Sequence, residues 1–217
     1  MDHAIFTLIN QRWTNPALDL FMAVMSDSEI WKPVLILVVL LAAVFGRFKA
    51  RACLICMLVT LIVSEQMTSF LKHAVDRRRP KQVEEVRMVQ LAKVRPAFLK
   101  IFHRPTIRLS DESDRNVQRS GPSFPSGHTS NNTVIALCLT LFYPRRGWLY
   151  WIATFSVAYS RIYLGAHWPS DVVATFFLAA AETLFVIAIL EFIWRWTTAR
   201  WLPPTYEAHP SLMVDAT

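Results

Sequence analysis

The sequence predicts an all-α fold: a polytopic membrane helical bundle of five to six transmembrane helices. Three observations carry that prediction. Hydrophobic residues make up 53% of the 217 positions and charged residues 18%, less charge than a water-soluble domain of this length carries. The apolar residues are gathered into segments expected to be long enough to cross a bilayer core of roughly 30 Å, which takes about 20 helical residues. No Gly/Ser linker or internal repeat divides the chain, so residues 1–200 read as one domain.

Taken in order, the first 26 residues suggest two short helices interrupted at Asn15-Pro16, with Asn15 as N-cap and Pro16 in the first helical position. This stretch is expected to be interfacial or partly inserted. Asp2 and His3 stand where a signal peptide would be basic, and Ala4–Ile9 is short, so the membrane segments are expected to persist in the mature protein. Trp31–Phe45 is apolar apart from Lys32. Ala52–Phe70 follows, its helix continuing to about Val75, and then His128–Tyr143, Trp148–Leu164 and Val172–Trp194. Cys53, Cys56 and Cys138 lie inside apolar runs and read as small buried residues, with neither a zinc site nor a disulfide framework.

The net charge of +7 does not point to nucleic acid, because the basic residues sit in short loops between apolar spans. Arg47, Lys49 and Arg51, then Arg145 and Arg146, then Arg195 and Arg200 fall on one side if the spans alternate. That side is expected to be cytoplasmic. Residues 81–121 are too polar to span and carry nine Lys/Arg against five Asp/Glu. They are expected to form a non-cytoplasmic loop or cap. Its basic character breaks the positive-inside tendency, and an anion bound at that face would explain the breach. Residues 201–217, with Pro203-Pro204, read as a disordered cytoplasmic tail.

Three constellations fall on the non-cytoplasmic side. Lys72 and Arg79 are seven apart, which on a helix returns to one face and could hold a phosphoryl group. Basic residues at a helix end also serve as plain membrane anchors, with Arg77 and Arg78 beside them. Ser126, Gly127 and His128 precede an apolar helix. There, free N–H groups and the Ser126 hydroxyl could cradle phosphate, and His128 could protonate a leaving oxygen. Arg161, His167 and Asp171 form the third. His167 and Asp171 are one turn apart, so the carboxylate could orient the imidazole and leave its other nitrogen as a nucleophile. Ordinary helix capping would explain Asp171 and Ser126 but neither histidine. No carboxylate cluster suits a paired-metal site, so neither a metal nor another cofactor is expected.

Together, Lys72-x6-Arg79-Pro80, Pro125-Ser126-Gly127-His128 and Ser160-Arg161-x5-His167-x3-Asp171 resemble the tripartite signature of the type 2 phosphatidic acid phosphatase superfamily, with every position filled. The resemblance implies a helical membrane core with its site at the outer surface. It implies a phosphohistidine intermediate on His167 with Asp171 as its partner, and His128 as general acid and later base. Lys72, Arg79, Ser126, Gly127 and Arg161 would hold the phosphate. The implied partners are the lipid bilayer and a membrane lipid phosphate or diphosphate.

The layout is similar to bacterial undecaprenyl-diphosphate phosphatases, which share an Ile-Phe stretch and a Leu-Asp pair like Ile5-Phe6 and Leu18-Asp19. Lipid A phosphatases and phosphatidylglycerophosphate phosphatases share the signature. A bacterial inner-membrane location follows, with the site facing the periplasm or exterior. A non-catalytic anionic-lipid-binding protein and a lipid transporter are the readings of another class.

Two acids lie within spans. Glu65 could share a stripe with Lys72 and Arg79, and Glu182 lies about three turns below Asp171. Each could support the phosphate site or make an interhelical hydrogen bond, with Asn131 or Asn132 as partners. Val86, Val89, Phe98 and Leu99 within the cap suggest a lid that touches both lipid chain and head group.

Overall fold

A computed structural model of the protein describes residues 1–116 and 121–213. Residues 117–120 of the expected cap and 214–217 of the expected tail lie outside them. The five apolar segments all fold as helices in the expected order. Three are long and apolar enough to cross a membrane: α3 (Ser28–Phe45), α4 (Phe48–Val75) and α8 (Pro169–Trp201). The other two, α6 (Gly127–Phe142) and α7 (Tyr150–Tyr163), have 16 and 14 residues. At about 1.5 Å per residue they rise less than the core of a bilayer.

The helix α6 is the centre of the bundle and packs on α4, α7 and α8. Its buried positions include Thr129, Ser130, Thr133, Ala136 and Cys138, small side chains that let helices approach where lipid offers no hydrophobic drive. The helix α3 stands apart: only 6% of its apolar window is buried, and Val34 to Leu41 face outward as lipid-facing residues do. Apolar packing concentrates at the two ends. Ala52, Cys53, Cys56, Cys138, Phe142 and Ile187 form one cluster, beside which Lys49 lies over the Tyr143 ring. Phe6, Ile9, Met22, Val86, Tyr163 and Trp168 belong to the other.

Residues 1–26 gather at that second end. The helix α1 (Asp2–Thr7) leads into a π-helical turn (Leu8–Arg12), and α2 (Pro16–Ser26) packs on α7. Asn15 caps α2 as expected, accepting from Leu18 N at 2.9 Å. The fully buried Asn10 explains why the segment docks. Its amide donates to the Arg87 and Tyr163 carbonyls at 2.9 and 2.8 Å, and its oxygen accepts from Arg87 N at 3.1 Å. Buried polar groups need such partners, and here they fasten three segments together.

The cap departs from an all-α fold. After a short helix α5 (Pro80–Val83), strands β1 (Arg87–Gln90) and β2 (Thr106–Leu109) pair antiparallel, Arg87 opposite Leu109, with a 3₁₀ turn (Ala97–Phe102) between them. Val86 and Val89 are buried in the cluster below, so they hold the cap down instead of facing lipid; Phe98 is exposed. Arg87 pairs with Asp19 at 2.6 Å, and Tyr163 donates to the same carboxylate at 2.7 Å.

The expected disordered tail is corrected for residues 201–213. Pro203 opens a short helix α9 (Pro203–Ala208). His209 stacks on Phe48 with centroids 3.8 Å apart and accepts from Trp194 Nε1 at 2.9 Å, while Leu212 N donates to Glu191 at 3.0 Å. A proline suits the first helical turn, so the Pro-Pro pair starts a helix that folds back onto the bundle.

Candidate active site

The three constellations converge at the end of the bundle that carries the cap, though not by the route their spacing suggested. Lys72 lies in the last turn of α4, which ends at Val75 with Asp76 left-handed at φ 43°. Arg79 is therefore not on the same helix face as Lys72. Pro80 forces the preceding residue into extended backbone, and Arg79 has φ −74° and ψ 156°. The turn carries Arg79 back across the site instead. Its Nε donates to Gly121 O and its Nη1 to Ala166 O, both at 3.1 Å.

Ser126 is the N-cap of α6, buried, with its N–H donating to Thr175 Oγ1 at 3.0 Å. The N–H groups of Gly127 and His128 open the helix, where no intrahelical acceptor exists. A Cβ placed on Gly127 would meet nothing within 4 Å, so the backbone there is open to a ligand. Arg161 ends α7 and donates to the Ser26 hydroxyl, while its buried Nε has no partner. His128 lies against the Ser26 backbone in the combined field of Arg161, Arg79 and Lys72. Among the described residues, none of those three cations forms an ion pair with a carboxylate.

Beyond Arg161 the chain reverses at Gly165, whose φ of +72° favours glycine. The reversal lets the N–H groups of Ala166 and His167 both bond the Arg161 carbonyl, at 3.0 and 3.1 Å. His167 is 2% exposed, and its Nδ1 lies 2.5 Å from Ser123 O. A carbonyl only accepts, so Nδ1 carries the proton and Nε2 keeps its lone pair. Nε2 faces Arg79 Nη1 at 3.5 Å. Burial, reinforced by the Arg79 and Arg161 charges, holds the imidazole pKa well below its usual value.

The expected direct contact between Asp171 and His167 is corrected. Asp171 occupies the third position of α8 and turns back to its own helix start, accepting from Trp168 N at 3.0 Å. It also accepts from Ser123 Oγ and Arg77 Nη1, both at 2.5 Å. Capping took the carboxylate, and Ser123 links it to the histidine. Arg77 in turn donates to Asp2 at 2.7 Å, and Asp2 accepts from Ser170 N at 2.9 Å. Ser26, Ser123 and Asp2 were missed, and Arg77 was read as an anchor. Their partners lie 44 to 168 positions away in sequence, beyond any local pattern.

A cavity of about 520 Å³ opens beside His128 between α3, α6 and α7. Trp31, Leu35, Leu61, Ile135 and Val157 give it apolar walls. Asn132, which accepts from Tyr150 at 3.0 Å, lines it too and is unavailable to the two acids within the spans. Glu182 instead lies near Ser64, whose hydroxyl is 2.6 Å from that of Ser130, and its Oε1 has no hydrogen-bond partner among the described residues; Glu65 is exposed. Among the described residues no three His, Cys, Asp or Glu converge as metal ligands.

Known proteins resemble this chain to differing extents. The bacitracin transport permease protein BcrC of Bacillus licheniformis is 42% identical over 64 residues, 30% of this chain and 32% of that one. A lipid A 4'-phosphatase of Bacteroides thetaiotaomicron is 26% identical over 170 residues, 74% of this chain and 64% of its own length. The chain thus spans about a third of the length of the first curated relatives that it matches. The transmembrane PAP2 type phosphatidylglycerolphosphate phosphatase of Bacillus subtilis superposes with a TM-score of 0.60 at 21% identity, covering 88% of this chain and 85% of that one. The profile of the PAP2 superfamily matches residues 53–200, and the chain belongs to that superfamily.

Proposed function

We propose that this protein is a lipid phosphatase that removes phosphate at the non-cytoplasmic face of a bacterial plasma membrane through a phosphohistidine, without a metal. One observation carries the reading. Lys72, Arg79 and Arg161, none ion-paired with a carboxylate among the described residues, lie around His128, and Arg79 and Arg161 also act on His167, beside a mostly apolar cavity. A cluster of uncompensated cations is costly unless an anion completes it.

In the proposed reaction the phosphoryl group rests among Lys72, Arg79, Arg161, the Ser126 region and the Gly127 and His128 amides. Charge stabilisation and positioning supply most of the catalysis in such transfers. Nε2 of His167 attacks phosphorus as the bond to the leaving oxygen breaks, and His128 gives that oxygen a proton. The substrate's negative charge offsets the three cations, so binding and protonation of His128 support each other. Neutral His128 then takes a proton from water, the hydroxide attacks phosphorus, and the P–N bond breaks to release phosphate and restore His167. Asp171 acts through Ser123, and the lipid chain lies in the cavity on the His128 side.

Undecaprenyl diphosphate is the favoured substrate, on the N-terminal layout that carries Ile5-Phe6 and Leu18-Asp19. Lipid A and phosphatidylglycerophosphate are the alternatives suggested by relatives. The name of the Bacillus licheniformis relative concerns transport, which keeps a lipid-moving protein as the reading of another class. Phosphate release should be measured from purified protein on undecaprenyl diphosphate, phosphatidylglycerophosphate, phosphatidic acid and lipid A. Release that vanishes in His167→Ala supports the phosphatase. Binding of these lipids with no release from any would overturn it.

A further inference from the structure

Lys32 is a charge that neither the packing nor the proposed reaction accounts for. It lies one turn inside the outer end of α3, a helix whose residues from Val34 to Phe45 are all apolar. A lysine within a membrane helix carries an insertion cost and by default marks a functional site. Glu29, on the same helix, is held by Lys100 at 2.7 Å, and Lys32 itself forms no hydrogen bond or ion pair among the described residues. It lines the cavity that His128 also lines, and it is the sole Lys or Arg among the described residues that do so.

The position of His128 decides what meets Lys32. The proton donor must face the leaving oxygen, so whatever departs with the lipid lies on the cavity side of His128. Lys72, Arg79 and Arg161 are committed to the phosphoryl group being transferred. If the substrate is a diphosphate, a second phosphate follows the leaving oxygen into a cavity whose walls are mostly apolar and whose other polar groups, such as Ser28, Asn131 and Asn132, are uncharged. A phosphate in apolar surroundings requires a partner charge. A monophosphate ester places carbon there and requires none.

We infer that Lys32 binds the retained phosphate of a lipid diphosphate and so selects diphosphates over monophosphates. The inference rests on the phosphatase reading and narrows its substrate class. A lysine that merely anchored α3 at the membrane surface, with its ammonium reaching the head groups, would treat both substrates alike.

The test compares kcat/KM of the full chain on a polyprenyl diphosphate and on the monophosphate of the same chain length, for the native protein and Lys32→Gln. The diphosphate-to-monophosphate ratio should fall about tenfold to a hundredfold in Lys32→Gln, the range for loss of one charge-assisted contact. Lys32→Arg should recover most of it. An unchanged ratio, whether both activities fall together or neither falls, overturns the inference and leaves the phosphatase reading standing. So does a native protein that cleaves only the monophosphate. A native protein that cleaves neither also overturns the inference, and the phosphatase reading is then decided by the four-lipid panel.

Discussion

The Nδ1 of His167 lies 2.5 Å from the carbonyl oxygen of Ser123, and Asp171 reaches the histidine only through that serine. The backbone, not a carboxylate, sets the tautomer, because a carbonyl demands a proton on the nitrogen that faces it. Removing the carboxylate should therefore disturb His167 less than removing His167 itself. Asp171→Asn is expected to lower phosphate release about tenfold to a hundredfold, as for outer-shell partners, whereas His167→Ala abolishes it. Trapping of labelled phosphate on the protein would separate the two: Asp171→Asn still forms the intermediate, and His167→Ala does not.

Arg77 should matter more to stability than its 37% exposure suggests. Its partner Asp171 is fully buried, and the loss of a partner leaves that charge uncompensated. Arg77→Ala is expected to cost about 1–3 kcal/mol, below the range for fully buried pairs because Arg77 itself is partly hydrated. Asp2→Asn should cost less, since Arg77 keeps Asp171. Thermal unfolding in detergent at fixed protein concentration checks both.

The low pKa of His167 gives a pH dependence with a definite sign. In the unfolded chain a histidine takes up a proton below about pH 6.5. In the fold, burial and the Arg79 and Arg161 charges keep it neutral. The unfolded state then binds more protons, so this residue makes stability fall as pH drops below 6.5, by up to about 1.4 kcal/mol per pH unit, until the folded pKa is reached. His167→Gln should have a shallower loss of Tm between pH 6.5 and 5 than the native protein.

Arg79→Gln and Arg161→Gln are each expected to lower kcat/KM about a hundredfold to a thousandfold, the range for removing one donor to a transition-state charge. Weakened inhibition by vanadate should accompany both losses. EDTA should leave the native activity unchanged. Arg161→Lys should not restore activity, because an ammonium cannot reproduce the guanidinium fork that now reaches Ser26.

The two glycines with left-handed backbone should respond differently to alanine. A Cβ at Gly165 would lie 3.1 Å from Val86 Cγ1 in addition to its unfavourable φ of +72°. At Gly121, with φ +62°, it would meet nothing within 4 Å among the described residues. Gly121→Ala should cost about 1 kcal/mol and Gly165→Ala more, about 2 kcal/mol or above, with loss of activity as the turn that holds His167 shifts. Calorimetry paired with phosphate release would test that ranking.

Before any coordinates, the residues themselves determined the five apolar helices, their order and the end at which the motifs meet. Each of these follows from local chemistry: apolar run length, short basic loops, a proline that opens a helix. The same local logic misjudged what depended on distant partners. Lys72 and Arg79 suited one helical face, but Pro80 bent the chain. Asp171 suited a bond to His167, but its own helix start and Arg77 claimed it.

The tail after Trp201 read as disordered, yet His209 found Phe48 to stack on. Residues 1–26 carried no sign that Asp2 would meet Ser170, or Ser26 meet Arg161. Only the tertiary structure could decide these contacts. A side chain's partner is fixed by which surfaces pack together, and hydrogen bonds form wherever packing leaves a donor facing an acceptor. The sequence thus named residues that meet at one end of the bundle, and packing chose which atoms hold them in place.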